Sequence, residues 1–221
     1  MTKKILLLFL FCITFSSLFS QEITFNIKSG SYTVNNDFDI IFSMDDPYRM
    51  IFFQELPSEN QKKELENLGI NFLYYLSKNV YIISLSKIID IKALENYQIL
   101  SINKFLPDYK IDIKLQDDVF PEWCFLDDIL YIKILLHKDV KLFNVIDKIK
   151  DLSELMQETN EMSNYVIAGI KVENLNLITR FSFVSYIEPI DPPPLMENMT
   201  GRTLHRTNII SSEYSNGRQY N

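Results

Sequence analysis

Two stretches of this chain repeat one pattern. Asn79 to Phe105 reads NVYIISLSKIIDIKALENYQILSINKF, and about 85 residues on, Asn164 to Ile190 reads NYVIAGIKVENLNLITRFSFVSYIEPI. Each opens on an asparagine followed by β-branched and aromatic residues, the composition of a strand. Each passes through a short polar-apolar segment of helical character and closes on a second strand, Ile99 to Ile102 and Phe183 to Ile187. A duplication limits the fold more than any other feature, because both copies must be one supersecondary unit.

What precedes each copy also matches. Tyr48 to Gln54 (YRMIFFQ) predicts a strand, broken by Pro57. Ser58 with Gln61 three residues later is a capping-box start for a helix carrying Leu65 and Leu68, and Gly69 is placed to end it. Ile70 to Tyr75 is the next strand. In the second copy, Ile129 to Leu136 (ILYIKILL) predicts the strand and residues 140–152 the helix. There Phe143, Ile146, Ile149 and Leu152 form an apolar stripe, with Lys141, Asp147, Lys148 and Lys150 toward water.

Each unit therefore reads β-α-β-β-α-β, the split βαβ or ferredoxin-like order. The fold class expected is α+β: two tandem ferredoxin-like units, residues 48–106 and 129–190, each with helices on one face of an antiparallel sheet. A unit of about 60 residues buries little of its surface and is marginal alone, so the copies are expected to support each other. Residues 21–47 form an N-terminal arm, read as an extra strand or a lead-in. Residues 107–128 are a linker in which the KIDIK alternation, Lys110 to Lys114, suggests an edge strand. Residues 191–221 begin with Asp191-Pro192-Pro193-Pro194, a stiff extended spacer.

Residues 1–20 read as a signal peptide. Lys3 and Lys4 precede an apolar run from Ile5 to Phe15, and Ser16, Ser17 and Ser20 supply small residues for cleavage, placed between Ser20 and Gln21. The run is shorter than the ~20 apolar residues that span a bilayer. The product is expected to be secreted or periplasmic, without a membrane anchor once the signal is removed. Cys12 lies in this leader, so Cys124 is left without a partner and is read as a small buried hydrophobe beside Trp123.

Chemistry is scarce. A net charge of −7 disfavours nucleic acid, whose binding draws on clustered Lys and Arg. The two histidines, His137 and His205, are far apart and lack metal-ligand spacing; both are read as strand-end or solvent-facing. The 5 glycines are isolated, which excludes a phosphate-cradling loop and a glycine-flanked serine nucleophile. Ser185 is read as a core or edge strand position. The acidic pairs Asp45-Asp46, Asp117-Asp118 and Asp127-Asp128 look like solvated loop charge. Asn198-Met199-Thr200 matches a glycosylation sequon, which means little if the source is bacterial, as the low-glycine, Lys/Ile/Asn-rich composition suggests. No catalytic, cofactor-binding or metal residue is assigned, and no small-molecule ligand is expected.

A doubled unit of this kind after a signal peptide resembles the N-terminal prodomain region of bacterial subtilisin-like serine peptidases. Phe52 to Ser86 carries the resemblance in its strand, its Gln/Lys/Glu-rich helix, its LGI and its Asn turn. Val184 to Asn221 is similar to that family's lead-in to the catalytic core. The Asp, His and Ser blocks of the core do not occur in these residues, so no catalytic role is carried over, and the chain is expected to be a fragment ending before that domain. The resemblance implies an intramolecular chaperone and peptidase inhibitor, partnered in cis or in trans by a subtilisin-like catalytic domain. The expected contacts are the sheet face opposite the helices and the stretch after Ile187, which would add as a strand along the substrate groove. The chain's acidic charge would match a complementary surface. The alternative is a stand-alone secreted binding module, such as a peptidase inhibitor or surface-interaction protein.

Overall fold

Strands dominate, in two antiparallel sheets whose neighbours follow the same sequence logic. The computed structural model describes residues 22–116 and 119–193. Residues 1–21, where a signal peptide is expected, Asp117-Asp118 and the tail from Pro194 onward, with His205 and Asn198, lie outside the described residues. Residues through Ile190 group as one unit, and a second begins at Asp191.

The chain starts with a hairpin, β1 (Ile23–Ile27) and β2 (Gly30–Val34). The first large sheet is built from β3 (Tyr48–Phe53), β4 (Ile70–Ser77), β5 (Val80–Leu85) and β6 (Ile99–Lys104), in the order β4-β5-β3-β6. The second contains β7 (Phe125–Leu126), β8 (Ile129–Leu136), β9 (Ser153–Asn160), β10 (Tyr165–Ile170) and β11 (Val184–Pro189). Its order is β11-β8-β10-β9, with β7 hairpinned onto the start of β8. Taken in chain order, the four main strands of each sheet occupy the same spatial sequence, the fourth beside the first, then the third, then the second. The fold is thus α+β, with antiparallel sheets and few helices.

Helix α1 (Glu59–Asn67) forms where its capping box places it. The Ser58 hydroxyl accepts from the Gln61 amide, and the Gln61 side chain accepts from the Ser58 amide. Gly69, at φ 103°, takes the left-handed turn that ends it. The helix expected over residues 140–152 is broken. A 3-10 turn at Leu142–Asn144 precedes α2 (Ile146–Lys150), and Phe143 is 83% exposed while Ile149 is fully buried. A spacing of three slips about 60° per step around an α-helix, so that stripe could not stay on one face. The crossover from β5 to β6 is likewise a 3-10 helix, Ile91–Tyr97, capped by Asp90 after two β-branched isoleucines. Its counterpart in the second half is a true helix, α3 (Val172–Thr179).

The expected KIDIK edge strand does not form. Pro107–Lys110 and Ile113–Leu115 are 3-10 turns, and Ile111 alone bridges to Ile187 of β11. Asp112 interrupts the alternation: its side chain accepts from the Lys114 amide and caps the second turn.

The core shows how the two sheets differ. Under α1, Ile51, Phe53, Ile83 and Ile102 pack on Leu65 and Leu94. On the opposite face of the same sheet, Tyr48, Met50, Phe52 and Ile82 pack on Phe25 and Val34 of the hairpin and on Phe105 and Tyr109. Strands β3 and β5 are consequently buried along their whole length. In the second sheet β8 alternates instead. Leu130, Ile132, Ile134 and Leu136 are buried on Ile149, Leu175 and Ile178, while the residues between them are half-buried. That alternation is the mark of a sheet with one covered face.

Candidate protein-interaction face

The half-exposed residues of β8 face the side away from α2 and α3. Residues directly opposite one another in an antiparallel pair share a face. Tyr131 lies opposite Gly169, Lys133 opposite Ile167, and Leu135 opposite Tyr165. The rows extend outward to Leu155 and Glu158 on β9 and to Glu188 and Tyr186 on β11. The result is an open, tyrosine-rich platform. Gly169 shapes it: an added Cβ there would lie 2.7 Å from Ile129 Cγ2 and 3.2 Å from Tyr131 Cε1. Its missing side chain lets the Tyr131 ring lie against the neighbouring strand.

Charges on the platform are paired, partly across it and partly with Lys28 of the hairpin, which lies 3.9 Å from Glu188. Lys133 Nζ is 3.5 Å from Glu188 Oε1 and 4.7 Å from the Tyr165 ring centre, and the Tyr165 hydroxyl donates to Glu158. That carboxylate raises the Tyr165 pKa. A surface of aromatics with satisfied charges is the composition of a protein contact, in which tyrosine supplies rigid area at small entropic cost. At its exit, Trp123 Nε1 donates to the Ile190 carbonyl at 2.9 Å and fixes where β11 ends.

The contact surface expected from the sequence was the helix-free face of each unit. In the first unit that face is already filled by the hairpin and by Phe105 and Tyr109, so only the second offers it. The covering hairpin was legible in part: ITFNI and GSYTV alternate around Lys28-Ser29. Strand β9, SELMQETN, carries no such signal and is set by pairing with β10.

The nucleophile and ligand candidates are scattered. Ser185 Oγ donates to the Leu135 carbonyl at 3.1 Å. Cys124 is buried, its thiol pKa pushed up by burial. Asp46 sits 3.5 Å from Arg49, and Asp127 and Asp128 form the two-residue turn between β7 and β8, both at positive φ. Among the described residues no cluster of His, Cys, Asp and Glu is arranged to hold a metal, and no helix is long and apolar enough to cross a membrane.

His137 follows directly on β8, the strand-end position expected of it, but its surroundings are a closed box. It is neither solvent-facing nor partnered: fully buried, with both ring nitrogens lacking a hydrogen bond. Its ring stacks on Tyr48 at 3.8 Å and 15°, with Phe105 and Tyr74 at 5.8 and 6.1 Å. Burial, and next the Lys110 charge, lowers its pKa to about 3. Burial likewise lowers Lys110 to about 8, while its ammonium donates to the Phe181 carbonyl at 2.8 Å.

The family profile of a domain of unknown function (DUF8729) matches residues 21–106. That span holds the hairpin and the whole first sheet, which the hairpin covers. No curated protein and no solved structure matches the chain.

Proposed function

We propose that this chain is the N-terminal prodomain region of a secreted subtilisin-like serine peptidase. It is made of two tandem ferredoxin-like units and acts on its catalytic domain as folding chaperone and inhibitor. The reading rests on the like strand order of the two sheets and on the resemblance of Phe52–Ser86 and Val184–Asn221 to that family.

The observation that carries it is the open platform of β8, β10 and β11. It is the helix-free face of the second sheet, where the outward residues of β8 stay half-exposed, and it adjoins the end of β11. A catalytic domain following Ile190 would receive that face and, past Pro192 and Pro193, an extended segment able to add as a strand. The work is done by surfaces rather than by a catalytic constellation of this chain.

The test is refolding in trans. Residues 21–221 are added to the unfolded catalytic domain encoded by the same reading frame, and active peptidase is measured before and after removal of excess chain. A gain in folded peptidase together with inhibition by the excess supports the reading. Neither effect would remove it. Inhibition without any gain in folding would favour a stand-alone secreted inhibitor.

A further inference from the structure

The His137 main chain belongs to the second half, and its ring belongs to a box supplied by the first. The amide donates to Phe183 O at 3.0 Å, and the carbonyl accepts from Val140 N and Asn164 Nδ2. The ring enters between Tyr48 of β3, Tyr74 of β4 and Phe105. The imidazole is thus a plug set between the halves, beside the Tyr48–Asp139 hydrogen bond.

A phenyl ring would fill this box without two orphaned nitrogens, whose burial lowers stability. What an imidazole adds over a phenyl is the capacity to take a proton. The groups around it make that proton unwelcome. Lys110, from the turn after β6, is the charge that acts on the ring. Asp139 is engaged by the Tyr48 hydroxyl at 3.1 Å, and the Tyr74 hydroxyl points to Leu136 O. Lys138 lies 5.9 Å from the Tyr74 ring. Asp46 acts on Lys110 rather than on the imidazole. Among the described residues no carboxylate is hydrogen-bonded to the imidazole.

We propose that His137 is an acid-sensitive latch: when its imidazole takes a proton, the aromatic box of the first half releases it and the two halves of the chain separate. The sign follows from burial. A separated joint restores the ring to water, where a histidine titrates near its ordinary value of about 6.5. The closed joint holds the ring well below that, at about 3. Closure is therefore fully favoured above pH 6.5 and weakens as pH falls through the window between the two values.

Hydrogen exchange of the whole chain between pH 7.5 and 4.5 tests this. Protection factors at residues 105–110 and 137–140 are expected to fall by up to about 100-fold from pH 6.5 to 4.5, tenfold per unit for one proton. Amides inside β5 and β10 should keep theirs. In His137→Phe the joint should stay protected across the range. The same acid response in that variant, or loss of sheet protection together with the joint, overturns the proposal. Should the variant fail to fold, the wild-type imidazole resonance decides alone. Titration of His137 with an ordinary midpoint, while the Tyr48 and Tyr74 signals stay unmoved, overturns it equally.

Discussion

The Tyr48 hydroxyl donates to Asp139 Oδ1 across 3.1 Å, a hydrogen bond that runs from the central strand of the first sheet to the loop leaving β8 of the second. Tyr48 also stacks on His137, so one side chain joins the halves twice, through its ring and through its tip. Burial, and then the Asp139 charge, raises its pKa well above the ordinary tyrosine range. Tyr48→Phe keeps the stack and removes the bond to a charged acceptor, worth about 1.5–3 kcal/mol. Urea unfolding should show a loss of that size. In a cycle with Asp139→Ala, the second substitution should cost little once the first is made.

Lys110 gives a pH prediction of the same direction as a carboxylate of depressed pKa, moved to the alkaline range. Its folded-state pKa is lowered to about 8, from a usual value near 10.5, by burial. Between those values the unfolded chain binds more protons, so stability rises with pH, at up to about 1.4 kcal/mol per unit. Above pH 10 two tyrosines reverse the gain, since buried Tyr48 and half-buried Tyr186 hold their protons more tightly in the folded chain. The unfolding midpoint should climb from pH 8 to 10 in the wild type. It should be flat over that range in Lys110→Met.

Arg49 is nearly fully buried and carries a segment without secondary structure of its own. Its guanidinium donates to the carbonyls of Asp39, Ile41, Asp46 and Tyr48. The Asp46 carboxylate lies 3.5 Å away, and Asp39 Oδ1 lies 3.4 Å from Nε as an ion pair without a formed hydrogen bond. Removing one partner of a buried pair leaves the others unpaired, at about 3–5 kcal/mol. Arg49→Met should lose that much. Arg49→Lys should recover only part of it, because an ammonium cannot reach four carbonyls in a fork. Thermal melts of the two variants decide the matter.

Much of this frame was written locally in the chain. Ser58 and Gln61, Gly69 and the Lys78-Asn79 turn at positive φ each act within a few residues, so their residue types announce them. The parts that were hidden depend on distant partners. Strand β9 is polar because only one side of it meets the core, through Met156. The burial of His137 comes from Tyr48, Tyr74 and Phe105, all far away in sequence, and a strand-end histidine looks the same whether or not such a box awaits it. The platform was foreseen as a kind of surface. Which unit keeps it was decided by the hairpin, whose docking site its own five-residue strands do not state.

Gly169 offers the means to perturb that platform alone. An alanine there brings Cβ to 2.7 Å from Ile129 Cγ2 and 3.2 Å from Tyr131 Cε1, so one ring or branch must shift. Overpacking of this kind costs about 1–3 kcal/mol. The displaced Tyr131 lies on the face assigned to the partner, so Gly169→Ala should weaken inhibition of the catalytic domain beyond what lost stability explains. Ser58→Ala is the control. It removes the cap of α1, at about 1 kcal/mol, on the far side of the first sheet from any part of the platform. Titrating both variants against the peptidase should leave Ser58→Ala at the wild-type inhibition constant and move Gly169→Ala to a weaker one. Equal constants for the two would detach the platform from binding.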